Sequence, residues 1–154
     1  MVKSPGKKNL FCFGFGFAAQ ALAKRLRSKN WSVSGTCRTK DKNLCLTNLP
    51  IFTFDGNHAS KEILAALSGA THLLISIPPQ TSGDVVLNNF SSHITNNKNL
   101  QWIGYISSTG VYGDTRGEWV DESSPLKPET ELNVRRVESE LAWLKMAKQN
   151  GCPV

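Results

Sequence analysis

Few of the residue types that carry chemistry are present in this chain. Its 154 residues include two tyrosines, three histidines and four cysteines. The cysteines (Cys12, Cys37, Cys45 and Cys152) form no C-x-x-C pair and keep no ligand-like spacing to His58, His72 or His93. Buried or incidental thiols are therefore expected, with no metal site and no disulfide. No apolar run approaches the roughly 18 residues that would suggest a membrane span. The basic start of the chain leads into an apolar run broken by Gly14 and Gly16, without a small-residue cleavage pattern, so no signal peptide is read and a cytoplasmic location is expected. Repeats and low-complexity segments are missing. Acid is scarce at one end: residues 1–42 hold ten Lys/Arg against Asp41 alone, a charge of +9, which leaves −3 for the remainder of a chain whose total is +6. Such asymmetry can mark nucleic-acid binding. No interleaved aromatics and no reading motif accompany it, so a nucleic-acid partner is not expected.

What is there is ordinary in amount and ordered in arrangement. A content of 40% hydrophobic and 19% charged residues suits a globular protein, and the length suits one domain better than two. Asn9–Phe13 is a short apolar run that stops at glycine, as a buried parallel strand does. Over Ala18–Lys29 the apolar positions Ala19, Leu22, Ala23 and Leu26 recur at helical spacing, with basic residues near the end and Asn30 to close it. Trp31–Cys37 reads as a second strand centred on Val33. Ile51–Phe54 reads as a third, and Ser60–Leu67 as a helix capped by Ser60 and closed by Gly69. Thr71–Ile77 is an apolar strand ended by Pro78-Pro79. A helix from about Gly83 to Ile94 carries Val86, Phe90 and Ile94 on one stripe. Leu100–Ile106 makes a fifth strand. After a long loop, Glu131–Gln149 is predicted as a helix with Val134, Val137, Leu141 and Leu144 inward. Alternating strands and helices predict βαβ crossovers: an α/β fold of Rossmann type, doubly wound, with a mainly parallel sheet of five or six strands and helices on both faces.

Between the first strand and the first helix lies Gly14-Phe15-Gly16-Phe17-Ala18-Ala19, a G-x-G-x-x-A pattern. Gly14 permits a tight turn, Gly16 lets backbone approach a pyrophosphate, and Ala19 keeps helix and strand close. The helix N-terminus then offers free N–H groups to phosphate. The alternative is a turn that merely needs two glycines. Where such a site takes NAD, an acid usually stands about 20 residues on, to receive the ribose hydroxyls. Here the second strand ends Gly35-Thr36-Cys37-Arg38-Thr39-Lys40, with no carboxylate before Asp41. Arg38 can pair with a 2′-phosphate and Lys40 can add charge, which favours NADP over NAD. A basic face near such a loop also explains part of the N-terminal charge.

After the fifth strand comes Tyr105-Ile106-Ser107-Ser108-Thr109-Gly110-Val111-Tyr112-Gly113-Asp114, and later Trp119-Val120-Asp121-Glu122-Ser123-Ser124-Pro125. Together with the glycine loop these segments resemble the extended short-chain dehydrogenase/reductase superfamily, the NAD-dependent epimerase/dehydratase group. The resemblance spans the whole chain but only the N-terminal half or so of such a protein. It implies one NAD(P)-binding domain over residues 1–154, with the C-terminal substrate-binding region absent. It implies that Ser108, beside Ser107, is the active-site serine that hydrogen-bonds the reacting oxygen, that Asp55 lies near the adenine ring, and that Ser76-Ile77-Pro78 line the cofactor ribose. Each has a structural alternative: Ser108 can satisfy loop backbone, and Asp55 can cap the turn before Gly56.

One departure matters more than these matches. The family's Tyr-x-x-x-Lys, laid on the last helix, falls on Leu132 and Arg136, and leucine cannot transfer a proton. Tyr105 and Tyr112 both lie elsewhere. The chain thus resembles atypical members that keep the cofactor fold and have lost the usual acid/base pair. Arg136 could hold the cofactor's ribose or phosphate, with Arg135 as the register alternative and a plain surface arginine as another. The resemblance implies an NADP-dependent oxidoreductase or epimerase-like protein acting on a small polar carbonyl or hydroxyl, such as a sugar derivative, with Ser108 and Tyr112 as the catalytic candidates. The competing expectation is a non-catalytic NADP-binding module or an inactive truncated remnant.

Overall fold

The computed structural model describes residues 7–39, 48–151 and 154. Five strands form one parallel sheet: β1 (Asn9–Phe13), β2 (Ser32–Cys37), β3 (Ile51–Thr53), β4 (His72–Ile75) and β5 (Trp102–Tyr105), in the order β3-β2-β1-β4-β5. Register pairs Leu10 with Val33 on one side of β1 and with His72 on the other, and His72 in turn with Trp102. From β1 the chain runs outward through β2 to β3, then returns to the other side of β1 for β4 and β5, so the direction of the crossovers reverses after β3. This puts helices on opposite faces.

One face carries α1 (Phe17–Arg27), whose Ala19 and Ala23 pack on Leu10, Cys12, Val33 and Leu74. The small alanines let helix and sheet approach closely. The Cys12 thiol is fully buried there, and that burial pushes its pKa up to about 12, so it is no nucleophile at neutral pH. The other face carries α2 (Lys61–Ser68), α3 (Val85–Asn96) and α4 (Glu131–Asn150) over a larger core of Phe11, Phe13, Phe54, Phe90 and Trp143. Phe13 meets Phe11 and Phe90 with ring centroids 4.9 Å apart.

Local signals behave as their chemistry requires. Ser60 Oγ accepts from the Ile63 N–H at 3.3 Å to start α2, and Gly69 ends it. Helix α1 ends at Ser28, and Asn30 then turns the chain at φ +57°. The stripe Val86, Phe90 and Ile94 of α3 is buried as expected.

The last helix is rotated from its expected phase. Leu141 and Leu144 are more than half exposed and Val134 is exposed too, whereas Ser139, Trp143, Met146 and Ala147 face inward. Two stripes of similar period coexist in this sequence. The one holding Trp143 wins because it removes the larger apolar surface from water and gives the indole N–H a buried acceptor, Asp84 Oδ2 at 2.8 Å. Asp84 had no part in the sequence expectation, yet its other oxygen caps α3 through Val86 and Leu87.

At the opposite end of the sheet His72 packs edge-on to Trp31 at 4.6 Å, and Lys8 stands over the same indole. Burial first, and Lys8 second, lower the His72 pKa from 6.5. Between that value and the lower folded one, the unfolded chain binds the extra proton. Stability should therefore fall as pH drops below about 6.5 and flatten once His72 is charged in both states. Urea unfolding from about pH 7.5 to about 5.5 should show this slope, and His72→Gln should lose it. Asp55, Glu62 and Asp121, whose pKa values are also lowered, act only further into acid.

Candidate functional site

The carboxyl ends of the strands, where the sheet order reverses, gather most of the sequence-predicted residues. Gly14 has φ +88°, and a Cβ there would lie 2.8 Å from Ser76 Oγ and 3.0 Å from Ile77 Cγ1. Only glycine fits. Gly16 differs. It is the N-cap of α1 with φ −83°, and a Cβ added to it would meet nothing within 4 Å. No side chain caps this helix and no acid occupies its first turn. Its leading N–H groups therefore face open space, in the arrangement that receives an anion.

Two residues outside the motif hold this loop. Thr36, fully buried on β2, accepts the Gly14 N–H through Oγ1 at 3.0 Å, while its carbonyl accepts the Phe15 N–H at 2.6 Å. Gly35 beside it leaves room for Phe15, since a Cβ there would lie 2.9 Å from Phe15 Cδ2 and 2.6 Å from Cys12 O. A threonine in a strand gives no sequence signal for this role. The Phe15 side chain is buried, as is Ala19, so of Phe15 only backbone faces the loop. Phe17 is 91% exposed and Ala18 exposed, at the open end of α1.

Arg38 stands exposed at the end of β2 and, with Asp55, Gly56, Ile77, Pro78 and Gln80, lines a cleft of about 330 Å³. Arg38 makes no ion pair among the described residues. Thr39 is exposed next to it, and Lys40 lies outside the described residues. Asp55 Oδ1 accepts the Asn57 N–H at 2.8 Å, which lowers the carboxyl pKa and keeps it ionised. The turn-capping role is thus present, and the carboxylate still lines the cleft. Ser76 Oγ reaches the carbonyls of Gly14 at 2.6 Å and Phe13 at 3.2 Å, tying the end of β4 to the glycine loop.

Beyond β5, Thr109–Tyr112 forms one turn of 3-10 helix capped by Ser108, whose Oγ accepts the Gly110 N–H at 3.2 Å. The Ser108 oxygen is engaged in this way, but its O–H remains able to donate. Helix α4 starts against this turn: the Asn133 carboxamide fills the space a Cβ on Gly110 would need. Arg136 Nη1 donates to Ile106 O at 3.3 Å, so this side chain reaches the end of β5. Arg135 instead pairs with Glu131 at 3.4 Å, which separates the two registers. Leu132 is 45% exposed in the position laid on the family tyrosine. Tyr112 is half-buried at the end of the 3-10 turn. Tyr105 is directed into the α4 side of the sheet. Among the described residues its hydroxyl and that of Ser107 are buried without a hydrogen-bond partner, and burial raises the Tyr105 pKa. Among the described residues no three His, Cys, Asp or Glu cluster, and no helix is long and apolar enough to cross a membrane.

A parallel five-stranded sheet with a glycine loop at its switch point defines a Rossmann-type α/β protein. The fold is the one shared by short-chain dehydrogenase/reductase and NAD-dependent epimerase/dehydratase structures, as the motif resemblance implied. A functionally unknown conserved protein from Silicibacter pomeroyi is 34% identical over 91% of this chain and 50% of its own, with a TM-score of 0.77. A short-chain dehydrogenase/reductase superfamily protein from Agrobacterium tumefaciens, solved with bound NAD, is 15% identical over 95% of this chain and 47% of its own, at a TM-score of 0.71. The UDP-N-acetylglucosamine 4-epimerase from Methanobrevibacter ruminantium is 18% identical over 97% of this chain and 53% of its own, at 0.73. The chain therefore spans about half the length of the solved structures it matches. No family model and no curated protein matches it.

Proposed function

We propose that the chain is the cofactor-binding part of an NADP(H)-dependent oxidoreductase or epimerase-like protein of the cytoplasm, acting on a small polar carbonyl or hydroxyl compound. The observation that carries this reading is the open space over Gly16 at an uncapped helix N-terminus, beside a cleft lined by Arg38 and Asp55. Gly14, Gly16 and the leading N–H groups of α1 would receive the pyrophosphate. Phe17 and Ala18 flank it, and Ser76, Ile77 and Pro78 would line the ribose. The Arg38 guanidinium, without an ion pair among the described residues, would take a 2′-phosphate through its planar fork, with Thr39 next in sequence and Lys40 adding charge. A bound NADPH supplies hydride. For a carbonyl substrate, the Ser108 O–H would donate to the reacting oxygen, Tyr112 or water would supply its proton, and Arg136 would hold the cofactor's ribose or phosphate.

Leu132 favours a second reading, a dinucleotide-binding module that does no chemistry, because it puts a side chain unable to transfer a proton at the position laid on the family tyrosine. Parallel fluorescence titrations with NADPH and NADH test the shared part. NADPH should bind more tightly than NADH. Arg38→Ala should weaken NADPH about 10- to 100-fold, the worth of a charge-assisted contact, and leave NADH nearly unchanged. A folded protein that saturates with neither dinucleotide would end both readings. Turnover of a carbonyl panel with NADPH then separates enzyme from module.

A further inference from the structure

All five strands are parallel, so every loop between a strand and a helix lies at one of two edges of the sheet. The carboxyl edge, with the candidate cofactor site, also carries the acids Asp55, Asp114, Glu118, Asp121 and Glu122. The opposite edge is basic. Lys7 and Lys8 precede β1, Lys29 precedes β2, Lys98 precedes β5, and Lys145 and Lys148 lie near the end of α4. All are exposed, and none has an ion pair among the described residues. The described segments that lead into β1, β2, β4 and β5, or that end α1 and α4, contain no Asp or Glu. The helix dipole accounts for lysines near a helix C-terminus, such as Lys145 and Lys148. It does not account for Lys7 and Lys8, which lead into a strand.

Aromatic rings stand among these cations. Lys8 O accepts the Ser32 N–H at 3.0 Å and Thr71 O accepts the Gln101 N–H at 2.8 Å, which sets the starts of β2, β1, β4 and β5 side by side. Trp31, His72 and Trp102 thereby form one row, on the face where Leu10 meets α1. Lys8 Nζ lies 5.2 Å from the Trp31 ring centre. Ring centroids are 4.6 Å apart for Trp31 and His72, and 6.3 Å for His72 and Trp102. Trp102 is 38% exposed with its indole folded over Gly104, and it forms the open end of the row. Just ahead of β5, Asn97 and Lys98 both line two adjoining clefts of about 300 and 450 Å³. In sequence order the basic segment lacks such a row; strand pairing supplies it, against the expectation of no nucleic-acid partner.

We infer that this edge binds single-stranded nucleic acid, with its phosphates on the lysines and an unpaired base on Trp102. Charge alone would suit any polyanion. The rings favour nucleic acid, which brings a flat base with every phosphate, over an acidic peptide or an anionic lipid surface. A single strand fits better than a duplex, whose bases are already stacked on one another. The edge lies at the far end of the strands from the cofactor cleft, so both can be filled at once.

Fluorescence anisotropy with a labelled oligouridylate of about 20 nucleotides, at roughly 50 to 200 mM salt, is the test. Affinity should fall steeply with salt. Changing Lys7→Gln and Lys8→Gln together should flatten the slope of log affinity against log salt by about 1.4, the effect of two lost phosphate contacts to a single strand. Trp102→Leu should weaken binding at least about fivefold with little change in that slope. A duplex of the same length should also bind at least about fivefold more weakly. Trp119→Leu, at the carboxyl edge, and saturating NADPH should leave the affinity unchanged. Thermal melts establish that each variant is folded. No binding at about 50 mM salt, displacement by NADPH, or an affinity untouched by the paired lysine change or by Trp102→Leu would overturn the inference. So would equal binding of the duplex, of polyglutamate or of phosphatidylglycerol vesicles.

Discussion

Asp84→Ala is expected to destabilise the chain by about 2–4 kcal/mol, a large fraction of the roughly 5–15 kcal/mol typical of a domain. The side chain does two things at once. One carboxylate oxygen caps α3 through the N–H groups of Val86 and Leu87, at 2.9 and 3.0 Å. Loss of a cap costs about 1 kcal/mol. The other oxygen accepts the indole N–H of Trp143, which is fully buried, at 2.8 Å. Alanine strands that donor away from water, at about 1–3 kcal/mol. Melting should fall by roughly 5–15 °C. Because α3 and the middle of α4 are joined through this one carboxylate, the effects should not add. In a double-mutant cycle with Trp143→Phe the second change should cost less once the first is made. Additive costs, or a total below about 1 kcal/mol, would show that the link contributes little.

Gly16→Val is expected to separate binding from folding. Gly16 has an ordinary negative φ, and nothing lies within 4 Å of the position its Cβ would occupy. Valine is a poor N-cap residue but strains no backbone here, so stability should change by about 1 kcal/mol or less. Its methyl groups would fill the space in front of the first N–H groups of α1. Dinucleotide affinity should fall about 100-fold or more, equivalent to roughly 2.7 kcal/mol. Gly14→Ala should do the reverse at the level of the fold. Its φ is +88° and its Cβ would press on Ser76 and Ile77, so the loop itself must shift. Thermal melts with NADPH titrations on both variants decide the matter. If Gly16→Val bound NADPH as wild type does, the open space would have no ligand in it, and the proposed cofactor site would fail.

Strand and helix order was readable because each element carries its own period and punctuation. β1 occupies the predicted residues, and Ser60 and Gly69 bound α2 as expected. The glycine loop was readable because only glycine tolerates the backbone that Gly14 adopts. The two glycines look alike as letters, however, and only the packed structure distinguishes a position that is crowded from one that is open. Thr36 was not legible as the residue that satisfies the loop. Its partner, the Gly14 N–H, is 22 positions away in sequence and is brought close by the pairing of β1 with β2.

The last helix shows where local pattern stops deciding. Val134, Val137, Leu141 and Leu144 make a proper helical stripe, and so do Ser139, Trp143 and Met146. Periodicity cannot rank two stripes on one cylinder. The choice fell to Trp143 because α3 presents Asp84 to it, an acceptor nearly 60 residues away. The same rotation carries Arg136 to the end of β5 and leaves Leu141 and Leu144 outside. Composition and spacing alone were enough for the α/β class, the element order and the position of the glycine loop between β1 and α1, since these depend on neighbours a few residues apart. The phase of α4, the roles of Thr36 and Asp84 and the approach of Arg136 to β5 depend on which surfaces meet, and only packing of the whole sheet against its helices sets those.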